Sequence, residues 1–195
     1  MYDYGGGLYF NLTNRCPCSC TFCVRSKVDS LGSADNLWLE HEPSVAEVIA
    51  AIKEIDLNKY TEAVFCGYGE PLVRLDELLE IADYIKEVSA LPVRINTNGL
   101  ANLIHGKDVV SMLKGHVDAV SISLNAPDSR RYVEICRPEQ GEAAYQAMLE
   151  FARSAVRVLG DVTMSVVDVI SEAEIAKCSE IAREIGAKFR VRGCY

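Results

Sequence analysis

Six times along these 195 residues a short run rich in β-branched and aromatic side chains appears, and a longer stretch of helical period separates each from the next. The runs are GLYFNLT (7–13), EAVFCG (62–67), PVRIN (92–96), VDAVSISL (117–124), DVTMSVVDV (161–169) and KFRVRG (188–193). Between them lie a helix from about Ser44, with Ser44 and Glu47 spaced as a capping box, and one with Leu75, Leu78, Leu79, Ala82 and Ile85 on its inner side. Further helices are expected over about 100–114, near 141–158 and from Glu172 to Ile185. Near-continuous apolar strands alternating with helices argue for parallel strands covered by helices, and a doubly wound sheet and a barrel both fit. The position of the unusual residues decides between them. The cysteine-rich NLTNRCPCSCTFC, then GYGEP (67–71), NTNG (96–99), SLNAP (123–127), Asp168 and Arg192 each fall at or just after a strand end, the rim where βα-barrels collect chemistry. Six units are too few for eight strands, so the expected fold is α/β: a partial (βα)6 TIM-like barrel, six parallel strands with outer helices and an open concave side.

At 49% hydrophobic residues the chain can bury a full core, and we read residues 1–195 as a single domain. It has no apolar run of the roughly 18 residues that a membrane span needs, and its start lacks the basic and apolar parts of a secretory signal. A cytoplasmic protein is expected, with no membrane partner. In that compartment thiols stay reduced, so the eight cysteines read as metal-binding or catalytic rather than as a disulfide framework. A net charge of −8 without any Lys/Arg-rich run makes nucleic acid an unlikely partner.

Cys16, Cys18, Cys20 and Cys23 stand within eight residues. A zinc site wants a second cysteine pair or spaced histidines, and His41, His105 and His116 are scattered and read as surface or satisfied polar residues. A redox pair at Cys20 and Cys23 leaves Cys16 unexplained. A [4Fe–4S] cluster on Cys16, Cys20 and Cys23, with one iron open, accounts for the C-x3-C-x2-C spacing.

That spacing, with Phe22 before the last cysteine, a GGEP-like turn, TNG and a serine-containing fourth strand in order, resembles the radical S-adenosylmethionine (radical SAM) superfamily. The runs LYFNLTNRCPCSCTFC, VFCGYGEP, RINTNG and SISLNAP look most like its small TatD-associated members. The resemblance implies one cluster on Cys16, Cys20 and Cys23, S-adenosylmethionine chelated to the open iron, a flavodoxin or ferredoxin-type electron donor, and a 5′-deoxyadenosyl radical that abstracts hydrogen from a peptide, protein or small-molecule substrate. It assigns cofactor contact to Phe22, Gly67, Tyr68, Gly69, Glu70, Asn96, Asn98, Ser123, Asn125, Asp168 and Arg192, with Glu70 near the ammonium and Arg192 near the carboxylate or adenine. Tyr68 departs from the family's second glycine. No catalytic side chain is assigned.

Blander readings stand beside these. NTNG and LNAP are good turns, and Arg190 and Arg192 suit a solvated edge strand. Cys178 reads as a small buried apolar residue, Cys66 as packing beside the cofactor, and Cys194 as a chain-end thiol. The competing class is a non-enzymatic iron–sulfur electron carrier or a zinc-stabilised binding module.

Overall fold

The computed structural model describes residues 1–194. Its centre is a seven-stranded sheet: β1 (Tyr2–Tyr4), β2 (Gly7–Phe10), β3 (Ala63–Phe65), β4 (Val93–Thr97), β5 (Ala119–Ser123), β6 (Asp161–Val167) and β7 (Lys188–Arg192), lying side by side in chain order. β2 to β7 are parallel, and β1 is an antiparallel addition at the β2 edge. Consecutive order means that every crossover steps the same way; with the usual right-handed crossover, the helices then share one face and the sheet rolls toward a barrel. A doubly wound sheet would reverse its order instead.

The helices are α1 (Val45–Lys53), α2 (Leu75–Val88), α3 (Ala101–His105), α4 (Val109–Leu113), α5 (Ser129–Cys136), α6 (Ala143–Val158) and α7 (Glu172–Ile185). The capping box forms as read at α1: Glu47 N donates to Ser44 Oγ while Ser44 N donates to the Glu47 carboxylate. A second box, Ser171 with Glu174, starts α7. α2 and α6 bury one stripe each, Leu78, Ile81, Ala82 and Ile85 on the first and Met148, Phe151, Ala152 and Ala155 on the second. Cys178 is fully buried on α7.

Four details differ from expectation. The helix foreseen over 100–114 is two short ones, because Gly106 turns left-handed after α3 and Asp108 starts α4 by accepting from Ser111 N. α5 occupies a stretch read as loop, and β1 makes seven strands of six. β4 and β5 also alternate where continuous apolar runs were foreseen, whereas β3 is buried throughout. β4 buries Val93, Ile95 and Thr97 toward the helices, while Arg94 and Asn96 face the other way. Registered neighbours place Ser121 and Thr163 beside Asn96, and Ser165 and Arg190 beside Ser123, so the concave face is polar.

Between the cysteines and α1 the chain crosses the β1–β2 edge. There Tyr2, Leu37 and Tyr68 form a small cluster of their own, with Tyr9, Val24, Leu31 and Ala34 packed on it. Arg74 clamps the same side from within the fold. It is 7% exposed and donates through Nη1 to Leu12 O at 3.1 Å and Pro43 O at 2.6 Å, and through Nη2 to Glu77 at 3.0 Å. No helix among the described residues is long and apolar enough to cross a membrane.

Candidate active site at the cysteine rim

The cysteine loop leaves β2 and is held by the ends of three other strands. Glu70 N, in the turn after β3, donates to Arg15 O at 2.8 Å. Asn98, after β4, points its Nδ2 at Cys16 Sγ (4.0 Å) and Cys18 Sγ (3.9 Å). Beyond β5, the C-terminal turn of α5 receives the loop: Ser19 N donates to Cys136 O at 3.1 Å, Thr21 N to Ile135 O at 2.8 Å, and Glu139 N to Pro17 O at 2.8 Å. Asn125, just past β5, donates through Nδ2 to Cys136 Sγ at 3.7 Å. GYGEP, NTNG and SLNAP therefore share the rim of the cysteine loop.

Cys16, Cys20 and Cys23 are free and half-buried; Cys18 and Cys136 are free and buried. Hydrogen bonds from Cys136 and Cys18 hold the Cys20 thiol well below its ordinary pKa, and one from Cys18 lowers that of Cys16. Burial raises Cys23. Cys18, bonded to both Cys16 and Cys20, and Cys136, bonded to Cys20, are pushed up by the same contacts. Among the described residues no three His, Cys, Asp or Glu side chains are arranged to hold a single metal ion. A [4Fe–4S] cube places each thiolate on a separate iron, so a half-exposed thiol triad that favours the thiolate at two of its members fits that group.

The turn after β3 is shaped for close approach. A Cβ on Gly69 would lie 2.3 Å from Thr13 O and 2.6 Å from Arg15 O, and one on Gly67 would lie 2.0 Å from Asn11 Oδ1. Only glycine lets this backbone reach the start of the cysteine loop. Glu70, 3% exposed, turns inward: its Oε1 accepts from Thr97 Oγ1 at 2.7 Å and Leu72 N at 3.2 Å, and its Oε2 from Asn98 N at 2.7 Å. Its carboxylate fastens the β3 turn to the end of β4. Tyr68 likewise turns away from the rim, with its hydroxyl donating to Val28 O and its ring edge-on to Trp38 at 5.1 Å.

On the concave face, Asn96 Oδ1 accepts from Arg94 Nη1, and Arg192 Nη2 donates to Ser123 Oγ at 3.4 Å across the β5 and β7 ends. Asn96 also hydrogen-bonds the Cys66 thiol, whose pKa burial raises. Asp168 is exposed and faces the end of β7, where its Oδ1 accepts from Cys194 N at 2.6 Å. Phe22 packs, partly buried, on the core. The histidines are hydrogen-bonded as the plainer reading had it, His105 to Leu72 O at 2.7 Å, and His41 and His116 to Glu47 and Asp83.

Two groups here have no counterpart in the sequence reading. Cys136 is one, brought to Cys20 by α5. The other is the Arg94–Glu62 pair, a two-point contact at 2.6 and 2.8 Å with the Tyr9 hydroxyl beside it, on the floor of the concave face. Alternation within PVRIN could have pointed to Arg94; nothing local points to Cys136.

A partial βα-barrel with a thiol-rich loop at the C-terminal rim of its first parallel strand is the architecture of a radical SAM domain. The family profile described as Radical SAM superfamily matches residues 10–181, and the chain belongs to that superfamily. Among curated relatives, it is 29% identical over 189 residues to a probable GTP 3′,8-cyclase of Methanosarcina acetivorans, covering 93% of this chain and 52% of that one. It is 25% identical over 151 residues to a probable dual-specificity RNA methyltransferase RlmN of a Synechococcus species, covering 74% and 41%. The chain thus spans about half the length of the curated relatives it matches. Among solved structures, a radical SAM methyltransferase from Sphaerobacter thermophilus superposes with a TM-score of 0.64 at 15% identity, over 95% of this chain and 65% of that one. Native anSMEcpe with bound AdoMet gives 0.64 at 18%, over 97% and 51%. The relatives and neighbours named with an activity are enzymes, a cyclase and methyltransferases.

Proposed function

We propose that this chain is a radical SAM enzyme that cleaves S-adenosylmethionine reductively at one [4Fe–4S] cluster held by Cys16, Cys20 and Cys23. The observation that carries the reading is the 2.8 Å bond from Glu70 N to Arg15 O, which sets the glycine turn directly against the residue before Cys16. When bound, cluster and cosubstrate supply an electron and a 5′-deoxyadenosyl radical for hydrogen abstraction.

The remaining roles belong to the chain. Gly67 and Gly69 let the turn pack against the start of the cysteine loop, from where its backbone meets the cosubstrate's ammonium, and Glu70 and Tyr68 hold that turn from beneath and from the loop side. Asn98 and Asn125 border the thiols. Asn96, Ser123 and Arg192 offer polar contacts on the concave face to the ribose and carboxylate, Phe22 walls the loop, and Asp168 fixes the end of β7. The substrate, a peptide, protein or small molecule, enters the concave side, and a flavodoxin or ferredoxin-type protein supplies the electron. Residues 1–195 act as one radical SAM core domain in the cytoplasm, and the runs around the cysteines and GYGEP favour the TatD-associated group.

Anaerobic reconstitution tests this. About four irons per chain are expected for the wild type and for Cys18→Ala, with loss in Cys20→Ala, and dithionite should yield 5′-deoxyadenosine and methionine. Equal iron loss in both variants would overturn the ligand set. Full iron with no product above the Cys20→Ala background would leave an electron carrier.

A further inference from the structure

We propose that Cys136, outside the ligating triad, is a positioning residue that donates its S–H to the Sγ of Cys20 and so raises the reduction potential of the cluster. The inference rests on the reading of Cys16, Cys20 and Cys23 as ligands.

Backbone geometry puts the two thiols together. Ser19 N and Thr21 N, on either side of Cys20, donate to Cys136 O (3.1 Å) and Ile135 O (2.8 Å), so Cys20 is flanked by two bonds to the last turn of α5. The side chains then meet in a thiol–thiol hydrogen bond. A second contact sets its direction. Asn125 Nδ2 donates to Cys136 Sγ at 3.7 Å, which occupies that sulfur as an acceptor and leaves its one proton for Cys20. Asn125 is itself held, 4% exposed, with φ at 58° and its N–H on Ser165 O at 3.2 Å. Cys136 is 1% exposed and Tyr132, one turn earlier on α5, is equally buried, so water does not compete for the proton.

A donor on a ligating sulfur draws electron density from it. The reduced cluster, which carries one more negative charge, gains more from that donor than the oxidised one, and the potential rises. The cluster then accepts an electron more readily from its donor protein. Cys18 also touches Cys16 and Cys20, but it belongs to the ligand loop itself, whereas Cys136 comes from a separate helix.

The test is a redox titration of the reconstituted protein without S-adenosylmethionine, followed by electron paramagnetic resonance of the reduced cluster, in the wild type, C136A and C136S. The expected result is full iron in all three, a more negative potential in C136A, and a potential in C136S restored most of the way by its O–H. A packing role would move both variants alike. An unchanged potential in C136A, or a C136S shift equal to that of C136A, overturns the proposal. Iron loss in C136A overturns it too, by making Cys136 a ligand. Should C136A fail to fold, N125G keeps the left-handed backbone and removes the orienting amide; it is expected to shift the potential in the same direction, less far, and no shift overturns the proposal. A wild type that assembles no cluster would overturn the reading of the triad beneath it.

Discussion

Glu70 carries a carboxylate into the protein interior with three hydrogen-bond donors and no cation among its partners. Burial outweighs those donors and pushes its pKa from 4.5 up to about 7. The consequence for stability has a definite sign. Between 4.5 and 7 the folded chain binds a proton here that the unfolded chain has released, so the stability that the neutral form gives is full below 4.5 and lost as pH rises through 7. At about 1.4 kcal/mol per pH unit the loss is on the order of 3 kcal/mol. Urea denaturation across that range is expected to show wild type falling relative to Glu70→Gln, with the difference flat above the window; a difference that is flat throughout would place the carboxylate in water. The sequence shows Glu70 in a turn beside two glycines, and its resemblance makes it a cosubstrate contact. What it does not show is the side of the turn on which the carboxylate lies, because that depends on Thr97 and Asn98, which only β4 brings near.

At the level of elements, signals that stay within a few residues of the chain were readable and those that cross between elements were not. The Ser44–Glu47 box, the faces of α2 and α6, and all six parallel strands follow from local pattern. β1 also had a local signal, Gly5–Gly6 between Tyr4 and Gly7, the pair a tight hairpin prefers, with both glycines at positive φ. α5 is eight residues that bury only Tyr132, Ile135 and Cys136, and it is fastened to the fold through the cysteine loop. Arg74 reads as a charged residue at a helix start, yet its guanidinium joins the end of β2, the lead-in to α1 and the first turn of α2. Replacing it with Met leaves the Leu12 and Pro43 carbonyls without this donor, and we expect a loss of about 3 kcal/mol in denaturant midpoints at unchanged helix content. A change under about 0.5 kcal/mol would mean that water replaces the guanidinium without cost.

Over the whole molecule the strand ends place the candidate site and the strand order places the helices, which is why the rim was legible from motif positions alone while its fifth thiol was not. The order also grades the sheet. β3 to β6 have neighbours on both sides and side chains buried by helices, whereas β7 is an edge with Val191 45% exposed, and β1 is a three-residue edge. Hydrogen exchange is therefore expected to protect β3–β6 most, and β1 and β7 least; an edge strand exchanging as slowly as β4 would contradict the open barrel. The docking of the cysteine loop on α5 sets a timetable on the ribosome. Each parallel strand emerges after the partner that it joins, so the sheet can be laid down in order as the chain is made. The thiol loop cannot be finished that way. It emerges early and waits for about a hundred further residues, on the order of ten seconds of synthesis, before the helix that pins it exists, so in the nascent chain the cysteines are exposed first and enclosed late.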